Sequence, residues 1–400
     1  MVEGKNIIAF SKEWENDWTS NHHVLTTLAR KNTILWINSI GMRSPGLSSG
    51  KDWQRIIKKI FFWLRGPKQV RRNLYVFTPL VWPFSRPFAF RRSSFTFLTL
   101  QLRFLTLVLR MRPFQVWSFL PAAEPLVGRL GEQRSVYYCT DNWRLFAYLK
   151  DQHIKISALE EKLLKKVDVV FASSRFLCHE KKKINARTHL VTHGVNDIFL
   201  KYMESSPAPS DLQGIRHPVL GFYGWLRDTI DQRLLFELAQ VYQDCSVVLI
   251  GKTSGNFERL RALSNIHFLG QKPYTELPRY AARFDVALIP YRMSPELMRA
   301  TNPIKLKEYL ALGLPLVTTD LPEAHPYEKA CWIAKNNRDF ILSVEKALGP
   351  EGKRRGALGK SMVMNETWED KVEAISRIMA GIENGGLDKP AVPGRRNTAE

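Results

Sequence analysis

The stretch Val219-Leu-Gly-Phe-Tyr-Gly224-Trp-Leu-Arg227 decides the fold, because it joins a short apolar run to a glycine and a polar turn. An apolar run of this length before glycine is typical of a buried β-strand, and the following segment predicts a helix. Glycine permits close backbone approach, and a helix start offers free N–H groups to an anion. Gly224 is therefore a candidate anion-binding residue, with an ordinary strand–helix turn as the alternative. Arg227 could contact donor phosphate or sugar, with a solvated loop charge as the alternative.

The same alternation of apolar runs and helical segments continues along the whole chain. Helical periodicity is clearest at residues 154–166 and 303–312. Strands that alternate with helices predict an α/β fold with doubly wound parallel sheets. The predicted strands are Asn6–Phe10, Thr33–Asn38, Leu74–Thr78, Gln115–Phe119, Ser135–Tyr138, Val167–Ala172, His189–His193, Val219–Tyr223, Ser246–Ile250, Ile266–Leu269, Val286–Ile289, Leu316–Thr318 and Cys331–Ala334.

The length of 400 residues suits two domains better than one. A Ser/Pro-rich stretch at 199–215 predicts a linker between domains at 1–198 and 216–365. A last amphipathic helix at 366–382 is expected to return to the first domain, and the polar tail at 383–400 is expected to be disordered. Ligands of doubly wound sheets bind beyond the carboxyl ends of the strands, so two such domains would face a central cleft.

Positive charge is in large excess and unevenly distributed. There are 59 Lys and Arg against 38 Asp and Glu, a net charge of +21, and residues 51–112 contain 14 of the basic residues and one acid. An apolar stripe with a basic opposite face lies in that segment and favours an anionic lipid surface; a domain helix that buries the stripe is the alternative. The stripe consists of Trp53, Ile56, Ile57, Ile60, Phe61 and Leu64.

Other protein classes are disfavoured by the sequence. The first residues carry no basic-then-apolar leader, and the longest apolar run, Phe95–Leu109, contains Arg103 and is too short to span a bilayer. The four widely spaced cysteines suggest neither a zinc site nor a disulfide framework. We therefore expect a cytoplasmic protein, peripheral at the inner face of the cell membrane.

The segment Arg299–Gly313 carries the densest chemical signal. Thr301 or Asn302 is expected to cap a helix that begins at Pro303. Lys305 then lies in the first turn, where a cation opposes the helix dipole unless an anion joins it, and Glu308 lies one turn further along the same face. Free amides and a cation favour a diphosphate, and the carboxylate favours sugar hydroxyls. A solvated amphipathic helix is the alternative.

These motifs, taken in order, resemble the nucleotide-sugar-binding half of a GT-B glycosyltransferase, similar to family 4 members and bacterial polysaccharide glycosyltransferases. The first half resembles the same enzymes less strongly, and the likeness spans residues 5–382. The segments that carry it are Val136–Trp143, Asp168–Ser174, His193–Asn196, Gly221–Gly224, Val248–Gly251, Phe268–Gly270 with Tyr274, Leu277 and Tyr280, Asp285–Pro290 and Asn302–Pro315.

The resemblance implies transfer of a sugar from a UDP- or GDP-sugar, with no cofactor and no metal, in keeping with the lack of an Asp-x-Asp triplet. Lys305 would neutralise phosphate, Glu308 would accept ribose hydroxyls and Tyr274 would flank the base. Ala300 stands where many family 4 enzymes have a first glutamate, so a retaining outcome is not implied. The resemblance and the local patterns together predict these donor-binding residues: Gly224, Arg227, Gly251, Tyr274, Thr301, Asn302, Lys305 and Glu308.

On the acceptor side, a carboxylate or histidine of the first domain would take the proton of the attacking hydroxyl. Asp141, just past a predicted strand end, is the candidate base, and a helix cap is its alternative role. His22 and His23 are candidates at the start of the first helix, with capping by Ser20 and no role for the histidines as the alternative.

The predicted acceptor is a lipid-linked saccharide of surface polysaccharide synthesis. One rival interpretation is a nucleic-acid- or membrane-binding protein without enzymatic activity. No nucleic-acid partner is expected, however, because no known binding module occurs and the charge lies away from the predicted donor site. A second rival keeps the GT-B fold but changes the reaction to sugar-nucleotide epimerisation or phosphorolysis.

Overall fold

The computed structural model describes seven stretches of the chain and divides into two compact units. Of the described residues, the first unit holds 2–192 and 371–384, and the second holds 193–370. The predicted linker residues 207–215 belong to the second unit, and the predicted tail from residue 385 onward lies outside the described residues. The structure describes residues 2–15, 18–39, 57, 59–80, 88–143, 153–203 and 207–384.

The strands follow the predicted order closely. They are β1 (Asn6–Phe10), β2 (Thr33–Ile37), β3 (Lys68–Arg71), β4 (Leu74–Phe77), β5 (Phe114–Ser118), β6 (Arg134–Cys139), β7 (Val169–Ala172), β8 (Thr188–Leu190), β9 (Val219–Tyr223), β10 (Ser246–Ile250), β11 (Ile266–Gly270), β12 (Val286–Ile289), β13 (Leu316–Thr319) and β14 (Trp332–Ala334).

Helices separate these strands. They are α1 (Ser20–Leu28), α2 (Phe88–Val108), α3 (His153–Lys166), α4 (Arg175–Lys182), α5 (Asp197–Leu200), α6 (Gln232–Val241), α7 (Glu258–Arg261), α8 (Leu277–Ala281), α9 (Pro295–Ala300), α10 (Ile304–Ala311), α11 (Asn337–Leu348), α12 (Pro350–Val363) and α13 (Trp368–Asn384). Shorter 3₁₀ turns occur at Pro121–Ala123, Ser210–Leu212, Tyr274–Glu276 and Pro322–Tyr327.

Each unit is built on one doubly wound sheet, as the alternation predicts. The first sheet has the strand order β3-β4-β2-β1-β5-β6-β7-β8, and the second has β11-β10-β9-β12-β13-β14. The strands pair in parallel except for β3, which pairs antiparallel with β4 at the sheet edge. The sequence analysis missed β3, because Lys-Gln-Val-Arg is too polar and too short to read as a strand.

Alternate residues of the second sheet supply two separate cores. Val248 and Ile250 of β10 pack with Leu306 and Leu310 of α10 on one face. The intervening Val247 and Leu249 pack with residues of α6 and α11 on the other face. A strand that buries both of its faces must be apolar at every position, which is why these strands read as unbroken apolar runs.

The first unit buries an ionic group beneath its own sheet. Lys181 of α4 lies 2.8 Å from Glu160 of α3, and both side chains are almost fully buried. The hydroxyl of Tyr137 donates a hydrogen bond to the same carboxylate at 2.9 Å. Partnering of this kind offsets the cost of removing a charge from water, and it joins two helices to β6, the strand that leads to Asp141.

Candidate active site

The second sheet reverses its winding between β9 and β12. From β9 the chain builds outward through β10 and β11, then returns to β12 on the other side of β9 and continues to β14. Ligands of doubly wound sheets bind beyond the carboxyl ends of the strands at such a switch point. Gly224 follows β9 and Tyr291 lies just beyond β12, so both occupy the expected position.

Gly224 and Gly251 pack against each other beyond neighbouring strand ends. Both have φ angles near +140° (+142° and +144°), which side chains rarely adopt. A Cβ on Gly251 would lie 1.9 Å from the carbonyl oxygen of Gly224. The close contact of the two loops at the strand ends therefore requires these glycines.

Helix α10 begins one residue later than the sequence predicts. Pro303, at φ −76° and ψ 123°, is the N-cap and not the first helical residue. The predicted caps do not act as such: Thr301 ends α9, and its hydroxyl donates back to the carbonyl of Leu297 at 2.7 Å. The reason is that α9 occupies the preceding residues, so Thr301 serves the end of one helix and not the start of the next.

Lys305 reaches the switch point from the first turn of α10. Its Nζ donates to the hydroxyl of Tyr291 at 2.6 Å and lies 5.2 Å from the ring centres of Phe222 and Tyr291. A Cβ on Gly224 would lie 3.0 Å from the same Nζ. The structure thus brings Lys305 and Gly224 together, as predicted, and the aromatic rings hold the ammonium beside the strand end.

Glu308 lies one turn beyond Lys305 and is 2% exposed. Its two carboxylate oxygens accept hydrogen bonds from Tyr223 at 2.5 Å and Tyr274 at 2.6 Å. Burial raises the pKa of the Glu308 carboxyl, while the two hydroxyls and the charge of Lys305 oppose that shift. Because a carboxylate oxygen can accept two hydrogen bonds, each retains capacity for a further donor.

The two tyrosines beside Glu308 remain protonated donors. Burial first, and the neighbouring carboxylate second, raise the pKa of Tyr223 and of Tyr274 well above the ordinary value. The resemblance implies that Tyr274 flanks the base of the donor, and in the structure its hydroxyl donates a hydrogen bond to Glu308. Contact with a base and contact with Glu308 use different parts of the side chain, so the assignment to the base stays a prediction.

Lys307 anchors α10 from its buried side and was not singled out by sequence reasoning. It is 3% exposed, and its Nζ donates to the carbonyl of His193 at 2.5 Å and to the carboxylate of Glu366. Glu366 also accepts a hydrogen bond from Tyr327 at 2.6 Å. This network fixes the helix that carries Lys305 and Glu308.

Arg227 lies in the loop that follows Gly224. Its guanidinium is 4.8 Å from the ring centre of Trp225, and its Nε donates to Thr229 at 3.3 Å. The indole of Trp225, 49% exposed, donates to the hydroxyl of Ser254 at 3.1 Å. Cationic and aromatic groups therefore line the loops after β9 and β10, and direct contact of Arg227 with a donor stays a prediction.

Asp141 lies at the carboxyl end of β6, where the sequence places it. Its Oδ2 accepts from Thr140 at 2.9 Å and lies 3.7 Å from the Nζ of Lys12. The side chain is 30% exposed, so the carboxylate remains open to an incoming hydroxyl. Residues 144–152 lie outside the described residues, and the alternative role as a helix cap stays untested.

His22 and His23 are both buried in the first turn of α1. Thr19, and not Ser20, is the N-cap, and it forms a capping box with His22. The two ring nitrogens of His22 lie 3.2 Å from the amide of Thr19 and 3.1 Å from the carbonyl of Trp14. Both ring nitrogens of His22 therefore have backbone partners. An acceptor-side role for His22 and for His23 stays a prediction.

Sequence reasoning missed the partners that hold the predicted residues. Tyr223 ends β9, and Tyr291 follows β12 by two positions. The rule that ligands bind beyond strand ends points to both positions, but the sequence does not reveal that their hydroxyls meet Glu308 and Lys305. The buried network of Lys307 leaves no sequence signal, because its partners lie 114 and 59 residues away.

Residues 217–349 match the sequence profile of the family Glycosyl transferases group 1. TuaH of Bacillus subtilis (strain 168), named for a glycosyltransferase role in teichuronic acid biosynthesis, is 29% identical over 257 residues, covering 59% of this chain. The match covers 64% of the relative, less than two thirds of its length. The resemblance inferred from the motifs is thereby confirmed.

Solved glycosyl transferase structures share the fold over nearly the whole chain. Sucrose-phosphate synthase from Thermosynechococcus elongatus has a TM-score of 0.69 at 13% identity, covering 95% of this chain and 100% of its own. Anabaena Alr3699/HepE with UDP and glucose has a TM-score of 0.66 at 12% identity, covering 94% and 100%. The GT-B fold predicted from the sequence is confirmed.

Proposed function

We propose that this protein is a hexosyltransferase that takes its sugar from a UDP-sugar. The observation that carries the proposal is the position of the Lys305 ammonium beside Gly224, at the switch point of the second sheet. A cation there, with the first amides of α10, suits a pyrophosphate. The choice of UDP rests on fold relatives solved with UDP and with UDP-2-fluoro glucose.

Lys305 and the first turn of α10 act on the leaving group. As the bond between the anomeric carbon and the pyrophosphate oxygen breaks, negative charge grows on UDP. Lys305 and the amides at the start of α10 stabilise that charge, which lowers the barrier. Tyr291 and Phe222 fix the ammonium before the donor arrives, so little reorganisation is needed during the reaction.

Asp141 acts on the acceptor in a direct displacement. The acceptor hydroxyl gives its proton to the Asp141 carboxylate, its oxygen bonds to the anomeric carbon, and UDP departs with the electrons of the broken bond. A positioned base contributes about 10²–10⁴-fold to such a step. The carboxylate is partly exposed, and the Lys12 ammonium lies 3.7 Å from its Oδ2.

The proposed acceptor is a lipid-linked saccharide at the inner face of the cell membrane. The name of TuaH, which assigns it to teichuronic acid biosynthesis, supports a surface polysaccharide as the product. Exposed Lys68, Arg71 and Arg72 in and beside β3 support docking on anionic lipid. No helix in the described part of the chain is both long enough and apolar enough to cross a bilayer.

The donor half of the proposal is tested by calorimetric titration with UDP, UDP-glucose and GDP. Lys305→Ala should weaken UDP binding by about 10- to 100-fold, since a hydrogen bond to a charged group contributes about 1.5–3 kcal/mol. Lys346→Ala, which removes an exposed lysine from α11, is the matched control and should leave the affinity unchanged. Equal UDP affinity in Lys305→Ala and wild type would overturn this site.

The acceptor half is tested with Asp141→Asn in a sugar-transfer assay. Turnover should fall by about 10²–10⁴-fold, while UDP affinity stays within about twofold because Asp141 takes no part in donor binding. Retained turnover would exclude Asp141 as the base. Product analysis with the donor alone separates transfer from epimerisation, because an epimerase needs no acceptor.

A further inference from the structure

Helix α2 presents its most apolar face outward. The exposed large side chains recur about every three or four positions, which places them on one side of the helix. Their exposed fractions range from 45% for Phe97 to 66% for Leu107. They are Phe97, Leu100, Phe104, Leu107 and Val108, and we call this set the α2 ridge.

The opposite face of α2 is buried and less apolar. Its buried residues recur every four positions and comprise two polar and two apolar side chains: Ser94, Leu98, Leu102 and Thr106. A surface helix of a globular protein normally turns its apolar stripe inward and its polar residues outward. The reversed order indicates that the ridge serves a partner outside the described part of this chain.

A second row of exposed apolar side chains lies beside the ridge. Residues 59–64 are helical, and the indole of Trp63 donates to Gln101 of α2 at 2.8 Å. The sequence left open whether the stripe in this segment is buried, and its described members are exposed: Ile57, Ile60, Phe61 and Leu64. Trp53 and Ile56 lie outside the described residues.

The charge of this region identifies the partner. From residue 53 to residue 123 the sequence has no Asp or Glu. The guanidinium of Arg65 lies 4.0 Å from the ring centre of Phe61, so cations stand directly against the apolar row. Among the described residues of the segment, the exposed cations are Arg65, Lys68, Arg71, Arg72, Arg103, Arg110 and Arg112.

We infer that the α2 ridge inserts below the headgroups of an anionic bilayer while the surrounding cations bind those headgroups. A second copy of this chain would bring two strongly basic surfaces together, which disfavours a dimer through the same face. A nucleic acid would pair with the cations but would leave the aliphatic ridge exposed to water. A lipid surface satisfies both groups at once.

This inference rests on the membrane part of the proposed function and deepens it. Purely electrostatic adsorption is reversed by salt, because the Debye length falls from about 10 Å at 0.1 M to about 3 Å at 1 M. Insertion of apolar side chains adds a component that salt does not remove. Binding to anionic vesicles should therefore keep a salt-resistant fraction.

The test measures flotation of the full chain with vesicles of phosphatidylcholine containing phosphatidylglycerol, at 0.1 M and 1 M salt. Phe104→Ser with Leu107→Ser should abolish the salt-resistant fraction and weaken vesicle binding about tenfold for each side chain removed. The matched control is Val241→Ser with Leu342→Ser, two exposed apolar residues of the second unit, which should leave vesicle binding unchanged. Thermal unfolding like that of the wild type in both variants shows that they fold.

Several outcomes would overturn the insertion. The wild type would fail to float with the vesicles, 1 M salt would reverse its binding completely, or the ridge variant would bind vesicles as well as the wild type does. A wild-type dimer that the ridge variant cannot form, or binding to RNA that depends on the ridge, would also overturn it. UDP titration is independent of vesicles, so a protein that binds UDP but not vesicles retains its proposed donor site. A protein that binds vesicles but not UDP would refute the proposed donor site and would still support insertion of the ridge.

Discussion

Helices α2 and α10 both depart from the usual sorting of apolar residues inward and charged residues outward, and they do so in opposite directions. Helix α10 carries Lys307 and Glu308 into the interior of the second unit. Helix α2 carries Phe97, Leu100 and Phe104 outward from the first unit. The buried charges have partners within the chain, whereas the exposed apolar side chains point to a partner that is not part of the described chain.

The physical reason for the difference is the cost of leaving each group without a partner. A buried charge without a counter-ion or hydrogen bonds is expensive, so α10 must supply partners from its own fold. An exposed leucine costs little, so α2 can keep its apolar row ready for an external surface. Loss of a side chain should therefore destabilise the protein at α10 and affect association at α2.

Among the charged residues of α10, the largest expected effect on stability is at Lys307. Lys307→Met removes a buried ammonium and leaves Glu366 and the carbonyl of His193 without it, so the free energy of unfolding should fall by about 3 kcal/mol. Urea denaturation measures this loss. Lys353→Met, which replaces an exposed lysine of α12, is the control and should change the value by less than about 0.5 kcal/mol. Equal effects of the two variants would contradict the comparison.

A smaller, pH-dependent effect is expected at Glu308. Burial raises the pKa of this carboxyl above its ordinary value of 4.5. Between pH 4.5 and the pKa of the folded state, the folded protein therefore holds a proton that the unfolded protein has lost. The stabilisation that this group contributes is fully present below pH 4.5 and is lost as the pH rises through the pKa of the folded state. Glu308→Gln cannot ionise, so its unfolding free energy should rise relative to wild type between pH 5 and 8.

Urea denaturation of both proteins across that range measures the difference. Glu237→Gln is the control, because hydrogen bonds to Asn337 and Arg233 lower the pKa of that exposed carboxyl. Its difference from wild type should not rise over the same range. A constant difference between Glu308→Gln and wild type would show that ionisation of Glu308 is not linked to folding.

The smallest expected effect on stability is on the ridge itself. Leu100→Ser with Leu107→Ser should change the free energy of unfolding by no more than about 0.5 kcal/mol, because both side chains are already exposed. Leu102→Ala on the opposite face should cost about 2–5 kcal/mol, because Leu102 is fully buried. Thermal and urea unfolding of the two variants compare the faces directly. Similar losses in both variants would mean that the ridge is packed against the protein.

Strand positions could be predicted well from the sequence, because a strand buried on both faces must be apolar throughout. Asn6–Phe10, Val219–Tyr223 and Ser246–Ile250 have the predicted bounds without change. The antiparallel edge strand β3 could not be found in this way, since its side chains are mostly exposed. The start of α10 was misplaced by one residue, because the competing end of α9 is not visible in local sequence preferences.

The candidate site could be predicted only in part. Gly224, Gly251 and Lys305 were found because glycine after a strand and a cation in a first helical turn have local physical reasons. Their partners were not found, because contacts such as those of Glu308 with Tyr223 and Tyr274 join residues 85 and 34 positions apart.

By itself, the sequence determined the alternation of strands and helices, the two-sheet architecture, the glycines at the strand ends and the concentration of positive charge in one segment. These follow from the periodicity and chemistry of neighbouring residues. Only the tertiary structure decided which face of α2 is exposed and which side chains hold Lys305, Lys307 and Glu308. Burial and hydrogen bonding depend on residues far apart in the chain, and no local pattern records which of them meet.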